Sequence, residues 1–246
     1  MSGLFNAILY QPLFNGLVFL YEYVTFEDLG LAIIVLTIIV RLILYPLSYK
    51  AFRNQVLMQR IQPEIKKIQH DHKDNKEKQA ELLMKVWKEN KVNPFSGFLL
   101  ILIQLPILIA LYRIFFHGFS GDALNNLYSF LPRPEAINDV FLGLINLNKK
   151  SIVVVGLAAV LQYIQGYLAL RKSGQAAAQS RTSRNMVFLG PVITIIFLSA
   201  LPSAVGLYWA ATSGFSVVQQ MIINKSLSKE TNHGDGHDSN DRGKTS

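Results

Sequence analysis

Few residues in this chain are of a type that could do chemistry, and the first is Arg41, the single charge inside the apolar run from Leu29 to Leu47. A charge at membrane depth costs at least about 2.5 kcal/mol of insertion free energy, so such a residue marks a functional position unless a partner explains it. No Asp or Glu stands at that depth in any apolar segment. The guanidinium must be satisfied by amides, hydroxyls, backbone carbonyls or water. Aligning the cytoplasmic ends of the apolar segments puts Gln104 and Gln162 each about 13 Å deep, level with Arg41. Thr194, Thr212, Ser213 and Ser216 fall in the same slab. Trp209, Thr212, Ser213 and Ser216 are spaced i, i+3, i+4, i+7 and share one helix face, as do Thr37 and Arg41. Taken singly, a Gln or Thr in a transmembrane helix is more often interhelical glue than a site. Converging on an uncompensated cation, these groups imply a hydrated cavity. They stop short of the outer leaflet, so the cavity should open to the cytoplasm and close outside.

Catalytic patterns are missing. His70, His72, His117, His233 and His237 lie outside the apolar segments without an H-E-x-x-H spacing, and no Ser-Lys or paired-carboxylate arrangement occurs at membrane depth. The sequence carries no Gly-rich phosphate loop. With no cysteine it has no disulfide, no thiolate metal site and no lipobox acylation. The expectation is a binding site without metal, cofactor or nucleotide hydrolysis, and not an enzyme. A solute or ion transporter with Arg41 as anion site is the alternative from another class. It lacks a detectable internal repeat and an acidic coupling residue.

The elements that must position these residues are apolar helices. Half of the 246 residues are hydrophobic, 16% are charged and the mean hydropathy is +0.27, against about 25% charged residues in soluble domains. Five spans are expected, at 29–47, 95–116, 151–170, 186–201 and 203–223. The last two meet at Leu201-Pro202-Ser203; unbroken they would make a helix of about 57 Å, too long for one crossing, so a tight hairpin is required. The formal net charge of +8 lies mostly in segments flanking the spans, which reads as an orientation signal and not as a nucleic-acid footprint. Between Ser48 and Pro94 eleven Lys or Arg face six Asp or Glu, and Arg171 to Arg184 adds four basic residues and no acid. Both segments should be cytoplasmic, placing the N-terminus and the loop from Gly118 to Lys150 outside and the C-terminus inside. That loop, with Pro132-Arg133-Pro134, is expected to be irregular surface. Pro12 to Val24, too short to cross, should lie flat in the outer interface; a signal peptide is the rival reading, without its basic n-region or cleavage site.

Between the first two spans the chain should form a charged helical hairpin over 48–94. Pro63 opens one helix to about His70, Asp74-Asn75 turns, and Lys76 to Lys91 forms the second. Its narrow stripe of Leu82, Leu83, Val86 and Trp87 either packs on the sister helix or docks a partner. Pro63, Lys66, Lys67, Leu83 and Trp87 are the candidate contact residues there. Residues 1–225 then make one membrane domain. Residues 226–246, rich in Gly, Ser, Asn and Asp, read as a disordered cytoplasmic tail.

Three segments carry a family resemblance: TIIVRLILYPLSYKAFRNQVLMQRIQPEIKKIQ, NPFSGFLLILIQLPILIALYRIF and LPSAVGLYWAATSGFSVVQQ. A transmembrane arginine before a Pro-Leu pair, an NP-x-x-G entry to a Gln-Leu-Pro span, and Gly-Leu-Tyr-Trp stand in the same order as in the YidC/Oxa1/Alb3 membrane protein insertases. The resemblance covers roughly Tyr10 to Asn224. It implies an all-α membrane protein of five transmembrane helices, with a cytoplasmic hairpin between spans one and two and an inner-leaflet groove. By it, Arg41 is the groove arginine and Gln104 its polar companion. Many Gram-negative members carry an extra N-terminal span and a large periplasmic domain; this chain resembles the short type. Some members carry a long basic tail for ribosomes, whereas Lys225 to Ser246 holds four basic and four acidic residues. The implied function is an insertase and chaperone of the bacterial inner membrane. Its partners would be nascent membrane proteins, lipids, the ribosome and the Sec translocon, with no specific nucleic acid.

Overall fold

The computed structural model describes residues 3–117, 121–134, 137–171 and 181–234. These are almost entirely helical. The helices of ten residues or more are α1 (Gly3–Tyr23, with a π-helical turn over Asn6–Tyr10), α2 (Leu29–Ile43), α3 (Tyr45–Arg60), α4 (Gln62–Asp71), α5 (Lys76–Glu89), α6 (Ser96–His117), α7 (Ile152–Arg171), α8 (Arg181–Leu198) and α9 (Ser203–Gly234). Between α6 and α7 a small antiparallel sheet pairs β1 (Val140–Phe141) with β2 (Ile145–Asn146), Val140 opposite Asn146.

One end of the helix set is a dry core. Phe14, Leu17 and Val18 of α1 meet Ile33 of α2, Ile114 of α6, Leu198 of α8 and Val205 of α9, all almost inaccessible. α1 is longer than the helix expected over Pro12–Val24, and its face of Leu13, Phe14, Leu17 and Val18 packs on this core. α1 starts at Gly3, has 21 residues, and is long and apolar enough to cross a membrane. Pro12 does not open it. The π turn over Asn6–Tyr10 precedes the proline, which sits in the first turn of the α-helical part, where its missing N–H breaks little.

The segment expected as irregular surface between α6 and α7 instead caps this core over its described residues. Asn15 Nδ2 donates to Asn126 O at 2.8 Å, and its Oδ1 accepts from Tyr128 N at 2.6 Å. Asn138 N donates to the Tyr21 hydroxyl at 2.8 Å, and Leu142 N to Asp28 Oδ2 at 2.7 Å. Phe141 lies over Gly30, where a Cβ would come within 2.1 Å of its ring, so only glycine fits. Leu147 is fully buried, and Ala204 N at the start of α9 donates to its carbonyl at 3.0 Å.

The first expected span, 29–47, breaks early. α2 ends at Ile43 and α3 leaves at a bend of 73°. Pro46 is the cause: it has no N–H for the carbonyl of Leu42 and its ring crowds that oxygen. Leu44 N closes the last turn of α2 by donating to Val40 O at 3.0 Å. α2 alone is about 22 Å long, and Arg41 stands in its last turn and not six residues inside. α6 runs for 22 residues and α8 for 18.

At the other terminus, the tail expected to be disordered from residue 226 is helical through Gly234. Ile223 and Leu227 pack on Phe52 and Val56 of α3, and the Tyr49 hydroxyl donates to Ser226 Oγ at 3.4 Å. Residues 235–246 lie outside the described residues, as do 172–180 of the second basic segment. α4 and α5 touch each other across the turn at 72–75, with Asn75 capping α5 through Lys78 N and Gln79 Nε2 donating to Gln69 O.

Candidate functional site

Two to three turns from the dry core, the helices separate around a cavity of about 480 Å³. α2 supplies Arg41, and α3, turned inward by the bend, supplies Ser48, Phe52 and Gln55. α6 contributes Gln104 with Ile103, Leu105 and Leu108; α7 contributes Gln162 and Gln165; α9 contributes Trp209, Thr212, Ser213 and Ser216. The helical spacing of those four α9 residues puts them on the single face that looks into the cavity.

Arg41 Nη2 donates to Gln104 Oε1 at 3.2 Å. The Gln104 amide in turn donates through Nε2 to the Tyr208 hydroxyl. One carboxamide therefore spans α2, α6 and α9. Among the described residues this is the only hydrogen bond Arg41 makes, and no carboxylate lines the cavity. A guanidinium carries five N–H donors, so most of its capacity is left facing the open space.

On the opposite wall, Gln162 Oε1 accepts from Thr194 Oγ1 of α8 and from Trp209 Nε1 at 3.4 Å. Ser216 Oγ returns to Thr212 O at 2.9 Å. Among the described residues no cluster of three His, Asp or Glu side chains is placed to hold a metal ion. Chemically the cavity is largely apolar, with neutral hydrogen-bonding groups and one cation set among Leu44, Phe52, Ile103, Leu105 and Leu108.

The structure brings Arg41, Gln104, Gln162, Trp209, Thr212, Ser213 and Ser216 to this cavity. It does not bring Thr37, which is buried with its hydroxyl donating to Ile33 O at 2.6 Å. Sharing a face with Arg41 was not enough, because a helical threonine can spend its donor on the preceding turn. Thr194 stands behind the wall and holds Gln162. None of Pro63, Lys66, Lys67, Leu83 or Trp87 borders the cavity. Pro63 and the two lysines are exposed, Leu83 and Trp87 half-buried, and the buried residues of these helices are Ile65 and Val86.

Several lining groups were missed. Ser48 and Gln55 lie beyond the expected end of the span, and only a bend at Pro46 could have returned them. Gln165, one turn from Gln162, was legible by spacing. Tyr208, buried behind the lining, gave no signal that its hydroxyl accepts from Gln104.

Comparison with known proteins places this arrangement. Residues 19–230 match the family described as 60Kd inner membrane protein. The membrane protein insertase YidC of Rickettsia bellii is 29% identical over 228 residues, covering 89% of this chain and 39% of that protein. The membrane protein insertase YidC of Francisella tularensis subsp. novicida is 35% identical over 196 residues, covering 80% of this chain and 32% of that protein. The chain thus spans about a third to two fifths of the length of these curated relatives. A crystal structure of an active YidC insertase with its first transmembrane domain resolved superposes with a TM-score of 0.60 at 28% identity, over 85% of this chain and 45% of that one.

Proposed function

Because the chain belongs to the 60Kd inner membrane protein family, that of the YidC/Oxa1/Alb3 insertases, we propose that it receives nascent membrane proteins in the cavity and releases them into lipid. The observation that carries this reading is Arg41, a cation with one neutral partner among the described residues, in a cavity that sets amides and hydroxyls beside an apolar flank. A short polar or acidic tail enters from the cytoplasm. Arg41 attracts it, and the amides and hydroxyls around it replace lost water, which lowers the barrier to crossing. The dry core with its cap closes the outer end, so the tail meets only a thin apolar barrier. The apolar segment that follows slides along α6 into the bilayer. Its burial, at about 25 cal/mol per Å², drives the step without nucleotide hydrolysis.

In this reading the chain crosses the bacterial inner membrane five times, with the N-terminus outside and the C-terminus inside. It acts as insertase and chaperone, alone or beside the Sec translocon. The basic helices α4 and α5 and the segment from Arg171 to Arg184 face the cytoplasm, where Lys66, Lys67 and the stripe at Leu83 and Trp87 receive the ribosome or the incoming chain.

Reconstitution tests the reading. The purified chain in liposomes should insert a single-span protein so that its tail becomes protected from external protease. Protection no greater than in empty liposomes would refute it, and solute flux without protection would favour a transporter.

A further inference from the structure

Beside the main cavity lies a second one of about 160 Å³. Gln55, Gln162 and Gln165 border both, so the two spaces meet at a threshold of carboxamides. Among the described residues no charged side chain borders the smaller one. Gly166 and Gly190 help keep it open: a Cβ on Gly190 would stand 3.1 Å from Gln162 Nε2, and one on Gly166 would touch Val187 at 3.5 Å.

The amides divide by use. Gln162 accepts from Thr194 and Trp209, which ties α7 to α8 and α9, and Gln220 donates to Asn224 Oδ1 one turn on in α9 at 3.1 Å, so both are already engaged within the protein. Gln55 and Gln165 make no hydrogen bond to any described residue. Each offers two N–H donors and one carbonyl acceptor without net charge.

The ligand these groups fit can be read from its chemistry. The described groups that border it are neutral hydrogen-bonders and offer an ion no counter-charge. A helix has already paired its backbone groups, except at its ends. An extended polypeptide presents one unpaired N–H and one unpaired C=O per residue, and leaving them unmatched away from water is costly. We propose that Gln55 and Gln165 form a subsite for peptide backbone, which takes the extended segment flanking a substrate's apolar stretch whatever that segment's side-chain charge. This rests on the insertase reading and divides its labour: Arg41 reads charge, and the two glutamines read backbone.

Synthetic peptides test this with the full chain in nanodiscs. Each carries one apolar segment and an uncharged glycine tail. In one version the tail's amides are replaced by esters, which removes the N–H donors at constant shape. A third peptide, with an acidic tail, reports on Arg41. The ester tail should bind at least fivefold more weakly than the amide tail, and that gap should close in the Q55L/Q165L variant. Equal binding of ester and amide tails, while the acidic peptide binds, would overturn the subsite and leave the insertase reading standing. A gap that persists in the folded variant would overturn it as well. Binding of none of the three would overturn both readings.

Discussion

Along α2, α6 and α9 the environment inverts within about 10–15 Å of helix. Ile33, Ile114 and Val205 close an inaccessible core with α1, while Arg41, Gln104 and Thr212 on the same three helices line a cavity of about 480 Å³. The first region spends all of its surface on neighbours and ties down its cap by backbone hydrogen bonds from Asn138, Leu142 and Ala204. The second leaves an arginine with one neutral partner and two glutamines with none among the described residues. A membrane protein can leave polar groups so under-used only if its packing energy comes from elsewhere. The dry end supplies it.

Substitutions should therefore split by region, with stability lost at one end and function at the other. The largest effect on stability is expected from Phe14→Ala, which empties a fully buried site; we predict a loss of about 3–5 kcal/mol, read as a lowered unfolding midpoint in detergent. A loss under about 1 kcal/mol would mean that the core is not the anchor described. Next is Gly30→Val, which drives a side chain into Phe141. It should cost about 1–3 kcal/mol and expose the turn at Leu142–Leu144 to protease, while an unchanged digestion pattern would show that the cap is not held there. Smaller still is Thr194→Val, which removes one donor to Gln162. Interhelical hydrogen bonds in membranes average about 0.6 kcal/mol. A double-mutant cycle with Gln162→Leu should return a coupling of that size, and a coupling of zero would detach Thr194 from the cavity wall.

The two regions also differed in how far the sequence revealed them. Arg41, Gln104, Gln162 and the α9 stripe could be aligned at one depth by counting residues along straight helices. That arithmetic works where helices run straight from a common surface. It failed at Pro46, read as part of a motif and not as a break, and so lost Ser48 and Gln55. Thr37 was included by periodicity alone, although its hydroxyl is spent on Ile33 O. The dry end was less legible. Phe14 and Leu17 carry the same apolar signal whether a helix lies at an interface or packs in a core, and nothing local to Val140–Asn146 says that it folds back over Gly30. Helix past residue 225 depends on contacts of Ile223 and Leu227 with Phe52 and Val56, far away in sequence.

The central claim is that Arg41 serves substrates and not the fold. Its most direct test uses Arg41→Ala and two single-span substrates that differ only in tail charge, with insertion into liposomes and the amount of folded protein measured together. The unfolding midpoint should stay equal or rise, since a costly, poorly partnered charge is gone. Insertion of the acidic-tail substrate should fall about tenfold, as loss of about 1.4 kcal/mol of attraction implies, and the uncharged tail should change far less. Lys at this position should restore part of the difference, keeping the charge but not the planar fork of donors. Wild-type insertion of both substrates by the Ala variant would contradict the claim and leave Arg41 a structural group.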